Sequence, residues 1–338
     1  MRSSIGWFLL SLAVLACGAD RSLKSLPSPK APQVMGVLEL SSTGPDSLYA
    51  SVAEAINDSG TIAGYAQVDS LGPWEAVLWR PPNYQIEFLP NESIHTPSFA
   101  HAIGADGTIG GDVCDGNDVS SRCHPVYWRA GVLHRLEGDG TVNSICPCDG
   151  HTMVGRVRVG GRDHGALWVD DILIDVGVPT GYTDGELRSI AHGFIVGNGL
   201  DEVSNGGSTA IGPFRWSPTT GWVRMQSDIQ TLVQDVNSVG TAIGAFEEIW
   251  YNGANSQSPL PIGSFPAAIN DSGVVAGGFL PQNSEPLDDR IPGVWTAATG
   301  WVSLGSVRKP IISDINNSAL VVGSRNARGR SIALLWRP

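Results

Sequence analysis

Charged residues and cysteines are scarce in this chain of 338 residues. Only 16% of the residues are charged, which disfavours long charge-laced helices and favours a β-rich protein. The 21 Lys and Arg residues are outnumbered by 33 Asp and Glu residues, and the net charge of -12 makes nucleic acid an improbable ligand. Five cysteines are too few for a disulfide scaffold, and no paired CxxC spacing predicts a zinc site.

The common catalytic signatures are missing as well. The sequence contains no HExxH, Gly-x-Ser-x-Gly or Walker motif, so nothing in it points to a standard hydrolase or phosphate-binding site. Glycine and proline are abundant instead, with 42 and 22 residues respectively. This abundance predicts a chain with frequent turns.

The first residues have the layout of an export signal. An apolar run from Ile5 to Ala16 follows Arg2 and is too short to span a bilayer. The run ends in Val14-Leu15-Ala16-Cys17, which resembles the lipobox of bacterial lipoproteins. The resemblance implies that residues 1–16 are removed and that Cys17 carries lipid, palmitate included, which anchors the protein in the membrane. Ordinary secretion is the alternative. Gly18 after the cysteine resembles the outer-membrane class, and residues 17–34 suit a flexible tether.

A repeat occupies the rest of the chain. Ala55-Ile56-Asn57-Asp58-Ser59-Gly60 returns as Ala268-Ile269-Asn270-Asp271-Ser272-Gly273, and each copy ends in a glycine four residues later. Seven glycines mark the copies at intervals of about 43 residues: Gly64, Gly111, Gly155, Gly197, Gly244, Gly277 and Gly323. A tryptophan follows each of them: Trp79, Trp128, Trp168, Trp216, Trp250, Trp295 and Trp336.

The repeat predicts an all-β fold, a β-propeller of seven blades with four antiparallel strands each, over residues 35–338. Asn-Asp-Ser-Gly between two β-branched runs is a tight hairpin turn, and the tryptophans are expected to fill the space between blades. The seventh repeat stops after its third strand, at Leu334 to Trp336, while an unassigned apolar stretch from Met35 to Leu40 precedes the first repeat. We therefore expect the N-terminal strand to complete the last blade and close the ring.

These repeat elements resemble the extracellular HAF repeats of bacterial secreted proteins. The likeness covers residues 35–338, although the His-Ala-Phe run is present only in altered form, as in His124-Pro125-Val126-Tyr127-Trp128. The resemblance implies the fold and a location outside the cytoplasm, in the bacterial cell envelope. It implies no defined activity.

Two pairs of cysteines lie within the repeats. Cys114 and Cys123 are expected on adjacent strands of blade two, and export favours a disulfide between them. Cys146 and Cys148 fall in the tight turn of blade three, on the opposite face, where a Cys-Pro-Cys bridge and two free thiols are the two alternatives.

Two histidines at equivalent third-strand positions, His124 and His164, are expected to be packing or surface residues rather than a metal site.

The loops that follow the second strands vary most in length, and such loops usually carry recognition. Blades two, four and six have the longest of them, and their carboxylates are predicted to form a ligand face for a cationic or polyhydroxylated partner. The candidate residues are Asp112, Asp115, Asp118, Asp201, Glu202, Glu285, Asp288 and Asp289. Neutral drift of loops on a structural ring is the alternative.

The Asp112–Asp118 loop could also attract calcium, but its spacing departs from the EF-hand pattern, and a solvated acidic loop is the competing interpretation.

Three classes of function fit these observations. The leading hypothesis is a surface-anchored binding or scaffold lipoprotein with no evident catalytic site, whose partner is a cell-envelope polysaccharide or protein. The alternative is a propeller enzyme, a hydrolase or lyase acting on extracellular carbohydrate or peptide through carboxylates that converge on the central channel. Acidic and polar side chains at the channel mouth would favour the enzyme. A purely structural envelope component would leave no deep pocket.

Overall fold

A computed structural model shows an all-β ring of seven four-stranded antiparallel sheets. It describes residues 36–42, 49–69, 72–93, 96–116, 121–201, 210–227, 230–251, 255–257, 260–280, 290–307, 310–327 and 329–337. No helix in this part of the chain has the length and apolar character needed to cross a membrane. The predicted seven-bladed propeller is confirmed.

The strands follow one another from the channel outward in each blade. Blade one contains β2 (Ser51–Ile56), β3 (Ile62–Gln67), β4 (Trp74–Trp79) and β5 (Ile86–Phe88). Blade two contains β6 (Ser98–Ile103), β7 (Ile109–Cys114), β8 (Cys123–Arg129) and β9 (Val132–Arg135). Blade three contains β10 (Gly140–Ile145), β11 (Thr152–Val159), β12 (Arg162–Val169) and β13 (Ile172–Gly177). Blade four contains β14 (Asp184–Ala191), β15 (Phe194–Asp201), β16 (Ala210–Ser217) and β17 (Gly221–Arg224).

The remaining blades repeat this plan, and the last one draws on both ends of the ring. Blade five contains β18 (Val233–Val236), β19 (Ala242–Gly244), β20 (Ile249–Tyr251) and β21 (Asn255–Gln257). Blade six contains β22 (Ser264–Ile269), β23 (Val275–Phe279), β24 (Ile291–Thr296) and β25 (Gly300–Ser303). Blade seven contains β26 (Pro310–Ile315), β27 (Val321–Ala327), β28 (Arg330–Arg337) and, as its outermost strand, β1 (Gly36–Glu39).

Ring closure follows the predicted pairing of the chain ends. β1 runs antiparallel to β28, with Val37 opposite Trp336 and Leu38 opposite Leu335. The Leu40 amide extends the ladder by donating to the Ala333 carbonyl at 3.0 Å. Blade seven therefore presents a complete fourth strand rather than an open edge, which removes a site of unwanted strand pairing.

The repeat glycine faces a bulge in the innermost strand of its blade. Each of the seven innermost strands shifts register in its second half, as between Ala53 and Ala55. A Cβ atom added to Gly64 would lie 2.0 Å from the Val52 carbonyl oxygen, and one added to Gly277 would lie 2.3 Å from the Phe265 carbonyl oxygen. Glycine is therefore required where the bulge brings the two backbones together.

The asparagine of the repeat turn connects neighbouring blades. Its Oδ1 accepts the backbone amide four residues later and so holds its own turn, as Asn270 does with Val274 at 3.0 Å. Its Nδ2 donates to a turn carbonyl of the next blade: Asn237 to Asn270, Asn270 to Asn316, Asn316 to Asn57, and Asn57 to Gly104. The turn sequence thus stabilises the ring as well as the hairpin.

Apolar clusters fill the spaces between blades. Seven clusters of buried side chains lie one at each junction, including the closing junction of blades seven and one. Trp79 is fully buried at that junction, and its Nε1 donates to the Ser41 carbonyl at 2.8 Å. Trp128, Trp168 and Trp250 make the same bond to the connection that enters their own blade. These side chains join blades and leave the channel to other residues.

Candidate functional site

One position of the repeat lines the central channel with polar side chains. It lies two residues before the Ile or Val that precedes the turn, on the innermost strand and at the bulge. Six of its seven occupants are polar, and all seven line one cavity: Glu54, His101, Asn143, Arg188, Gln234, Ala267 and Ser313. Because the blades are related by rotation about the channel, one sequence position becomes a ring of side chains.

The cavity inside this ring has a volume of about 340 Å³. Towards the tight turns it ends at the next residue of each strand, among them Ser144, Asp235 and Asp314. Towards the long loops it is lined by Asp112 of β7 and Arg156 of β11. A concave space of this size with convergent polar groups has the properties of a small-molecule site.

A histidine and a carboxylate pair in the part of the channel formed by blade two. His101 Nε2 lies 3.2 Å from the Asp112 carboxylate, and the Phe99 ring stacks on the imidazole. Burial lowers the pKa of His101, but the hydrogen bond to Asp112 and the charges of Asp112 and Glu54 outweigh burial, so the pKa is raised. The protonated form of His101 is therefore more stable than the protonated form of a free histidine.

Glu54 meets a tyrosine beside this pair. The Tyr65 hydroxyl donates to Glu54 Oε1 at 3.2 Å, and the tyrosine ring packs edge-on against Phe99. Burial and the negative charge of Glu54 raise the pKa of Tyr65 well above its usual value. The tyrosine therefore remains a neutral hydrogen-bond donor in the channel wall.

Two buried carboxyl groups lie at the turn end of the cavity. Asp235 accepts from the Ser189 hydroxyl at 2.7 Å and from the Ile269 amide of the next blade at 2.9 Å. Asp314 accepts from the Ile56 amide of blade one at 2.8 Å. Burial raises the pKa of both groups, and the nearby charge of Asp235 helps raise the pKa of Asp314 to about 8.

The two charged groups of blade four that line the cavity, Glu186 and Arg188, form no ion pair in the described part of the chain. Arg188 is exposed within the cavity, and no residue of the described part of the chain bonds its guanidinium. Glu186 lies two residues earlier on the same strand, where it accepts only from the Asn198 amide group at 3.0 Å. Arg156, the other arginine of the cavity, lies 3.3 Å from Asp163. The channel thus contains one unpaired guanidinium among hydrogen-bonded carboxylates.

The described channel residues do not pair a serine or cysteine nucleophile with a histidine base. Such a site needs the hydroxyl or thiol within hydrogen-bond reach of the base. Within the described ranges, the partner of His101 is the Asp112 carboxylate, and no hydroxyl or thiol is bonded to the imidazole. Asp235 and Asp314 are occupied by backbone amides of neighbouring blades. The described contacts of His101, Asp235 and Asp314 are therefore to other protein groups.

The predicted ligand-face residues occupy different places. Asp112 belongs to strand β7 rather than to a loop, and it is buried in the channel wall. Asp115 lies on the surface, 3.1 Å from His124. Asp201 is the last residue of β15. Asp118, Glu202, Glu285, Asp288 and Asp289 lie outside the described residues, as does Cys17.

The predicted calcium loop is divided between two environments. Its carboxylates Asp112 and Asp115 engage different histidines, one in the channel and one on the surface. A calcium ion takes six to eight oxygen ligands, and these two residues do not face a common partner. The calcium site stays a prediction. His164, the counterpart of His124, contacts Asp175 on the surface.

Both cysteine pairs are bonded in the structure. Cys114 ends β7, Cys123 begins β8, and a disulfide joins them. A second disulfide joins Cys146 and Cys148 in the turn of blade three. That turn lies where blades one, five, six and seven have their turn asparagine, and blade three lacks this asparagine, as do blades two and four.

Sequence reasoning missed the channel residues, although a signal for them exists. Glu54, His101 and Arg188 belong to no motif and stand apart in the sequence. Alignment of the seven repeats on the Ile before the turn places them in one column. That column is polar in six copies although it adjoins the apolar core positions, which is unusual for the innermost strand of a sheet.

Comparisons with known proteins support the fold of this chain and no more than the fold. No protein-family model and no curated protein matches the chain. The β-propeller domain of the Trilobed protease from Pyrococcus furiosus is 13% identical with a TM-score of 0.56, over 86% of this chain and 93% of that one. Acylaminoacyl peptidase from Pyrococcus horikoshii is 10% identical with a TM-score of 0.56, over 86% of this chain.

TolB from Acinetobacter baumannii is 12% identical over 82% of this chain, with a TM-score of 0.46, which is too low to support an argument. This chain spans 63% of the TolB chain and 51% of the acylaminoacyl peptidase, so it matches only part of each. The Pyrococcus furiosus propeller is described as having an open velcro topology. In this chain β1 pairs with β28 and closes the ring. The comparisons therefore agree with a β-propeller and carry no activity to this chain.

Proposed function

We propose that this protein is a binding lipoprotein of the bacterial cell envelope, and that its central channel holds the ligand. The observation that carries the proposal is the polar column of the repeat, because six of its seven side chains line one cavity. A purely structural ring would have no need for a polar channel of this kind. Acidic side chains at the channel would favour the enzyme alternative, but the described carboxyl groups there accept hydrogen bonds from donors such as Tyr65, Asn198 and Ser189, so we place binding ahead of catalysis.

The envelope location rests on the N-terminal sequence and on the HAF-like repeat. Cys17 follows an apolar run in a lipobox-like context, so the protein should be lipidated and held on the outer membrane by its acyl chains. Labelling cells with an alkyne analogue of palmitate should tag the wild-type protein. Cys17→Ser should abolish both the label and the recovery of the protein in the membrane fraction. A Cys17→Ser variant that stays labelled and membrane-bound would contradict the anchor.

The partner is proposed to be a cell-envelope polysaccharide or protein that reaches the channel from the long-loop face. The loops between β7 and β8, β15 and β16, and β23 and β24 are the longest second-strand loops. The corresponding loop of blade five separates Gly244 from Ile249. Shortening the three long loops to that length should reduce partner binding without unfolding the strands.

The direct test of the channel uses a side chain that blocks it. Ala267 is the small member of the polar column and lines the cavity, so Ala267→Trp should fill the channel without removing a hydrogen bond. The matched control is Ile262→Trp, because Ile262 is 93% exposed on the surface. Binding of the purified protein to envelope polysaccharides, peptidoglycan and envelope proteins should be lost in Ala267→Trp and kept in Ile262→Trp. Equal binding by both variants would exclude the channel as the site.

A further inference from the structure

The charges inside the channel are not balanced against each other. The described residues leave the Arg188 guanidinium without a hydrogen-bond acceptor, although it faces a cavity that contains five carboxyl groups. Each of those groups accepts from another donor: Glu54 from Tyr65, Asp112 from His101, Glu186 from Asn198, Asp235 from Ser189, and Asp314 from Ile56. An arginine that is held in a pocket without an acceptor is suited to bind a carboxylate through two parallel bonds.

Four of the five carboxyl groups form no ion pair in the described part of the chain, and Glu54 and Glu186 are the two of these four that accept no described backbone amide. Glu54 accepts from a tyrosine hydroxyl and Glu186 from an amide group, both neutral donors. Neither forms an ion pair with Lys, Arg or His in the part of the chain that the structure describes, and each leaves its second oxygen without a described donor. Charges of both signs without a described ion-pair partner therefore face one cavity, where a ligand that carries both charges can pair with each of them.

Resting on the proposed function, we infer that the channel ligand is a small zwitterion, a short peptide whose carboxylate binds Arg188 and whose ammonium binds the acidic pair Glu54 and Glu186. The cavity volume of about 340 Å³ suits a small molecule rather than a folded domain. A fully anionic ligand would be repelled by Glu54 and Glu186, while a fully cationic ligand would be repelled by Arg188 and Arg156. A zwitterion avoids both forms of repulsion.

The test uses triglycine and its capped forms as probes, measured by calorimetry on the purified wild-type protein. Triglycine should bind. N-acetyl-triglycine lacks the ammonium and triglycine amide lacks the carboxylate, so the affinity of each should be lower than that of triglycine by a factor of about ten or more. Arg188→Gln should weaken triglycine binding by about tenfold and erase the difference between triglycine and its amide. Glu54→Gln with Glu186→Gln should erase the difference between triglycine and its acetylated form.

Arg158→Gln is the matched control, because Arg158 contacts Asp163 on the surface and is not among the residues that line the cavity. It should leave triglycine binding within about twofold of wild type. Arg188 has no described hydrogen bond to lose, so its substitution should keep the wild-type melting temperature, which serves as the folding check. Arg188→Lys keeps the charge and should retain part of the binding.

Three results would overturn the inference: no binding of triglycine, equal binding of all capped forms, or full binding by Arg188→Gln. None of them decides the proposed function, which depends on the Ala267→Trp comparison with envelope polysaccharides and proteins. A polysaccharide that binds wild type and Arg188→Gln equally but fails to bind Ala267→Trp would support the channel as a site and reject the peptide as its ligand.

Discussion

Asp314 of blade seven accepts a hydrogen bond from the backbone amide of Ile56 in blade one, at 2.8 Å and across 258 residues of sequence. The bond joins the two blades at which the ring closes. Ser144 of blade three occupies the same place in the repeat and accepts from the Ile190 amide of blade four at 3.3 Å. The ring therefore uses a neutral acceptor at the junction of blades three and four. It uses titratable acceptors at the junction of blades seven and one and, through Asp235 and Ile269, at that of blades five and six.

The titratable acceptor Asp314 predicts that stability depends on pH. Burial and the charge of Asp235 raise the pKa of Asp314 from 3.8 to about 8. Between these values the folded state holds a proton that the unfolded chain has released. The free energy of unfolding should therefore fall as the pH rises towards about 8.

Asp314→Ser should make this decline smaller, because serine can accept the Ile56 amide as Ser144 accepts Ile190. Asp235, whose pKa burial also raises, accounts for the decline that remains. The measurement is urea unfolding of wild type and variant at pH 5, 7 and 9. Ser144→Ala serves as the control, since it removes a junction bond without a titrating group and should shift the curve equally at every pH. A wild-type pH dependence that survives in full in Asp314→Ser would assign the titration to another group.

Two adjacent glycines of β23 predict opposite results for one substitution. A Cβ atom at Gly277 would lie 2.3 Å from the Phe265 carbonyl oxygen, whereas at Gly278 the nearest atom is 3.6 Å away. Gly277→Ala should lower the free energy of unfolding by about 2 to 4 kcal/mol, because the bulge backbone must move. Gly278→Ala should leave it unchanged or raise it by about 0.5 kcal/mol. Chemical denaturation checks both, and similar values for the two variants would contradict the close approach.

Loss of the closing strand should destabilise the ring. Deleting residues 35–40 exposes the β28 edge and should lower the melting temperature by about 5 °C or more. A synthetic peptide of residues 35–41, added in excess, should restore part of the loss by pairing with β28. Deleting residues 22–27 of the predicted tether is the control and should change nothing. An unchanged melting temperature after the first deletion would argue against this closure.

The cysteine pairs predict a specific peptide map. Cys114 pairs with Cys123 at the long-loop end of blade two, and Cys146 pairs with Cys148 at the tight-turn face of blade three. Mass spectrometry of non-reduced digests should find a link within each pair and no bond between the pairs. A Cys114–Cys146 link would be incompatible with these blades.

Much of the fold could be predicted because each blade repeats the same local chemistry. The repeat glycine and the buried Trp recur at one interval in all seven copies, and the Asn-Asp-Ser-Gly turn is present in two of them, so weak local signals add together. Closure was predictable because the stretch Met35 to Leu40 and the missing fourth strand complement each other. The inter-blade role of Asn270 was not, because a turn residue gives no local sign of a donor bond to the next blade.

The channel site could not be predicted from strand alternation. The bulge places two residues of the innermost strand opposite one residue of its partner, so alternation does not tell whether Glu54 or Ala55 faces the channel. The His101–Asp112 pair joins neighbouring strands, but the charge of Arg188 reaches it from two blades away. Such groupings depend on the rotation between blades, which no single repeat contains.

The pairing of β1 with β28 sets an order of events in the biosynthesis of the ring. Blades one to six can each form their sheets from contiguous sequence, soon after their residues emerge. Blade seven needs residues 334–337 next to residues 36–39, so its fourth strand must wait for the last part of the ring to be synthesised. Until then the N-terminal strand has no partner. For a chain held at Cys17, the segment nearest the membrane would be the last to become ordered.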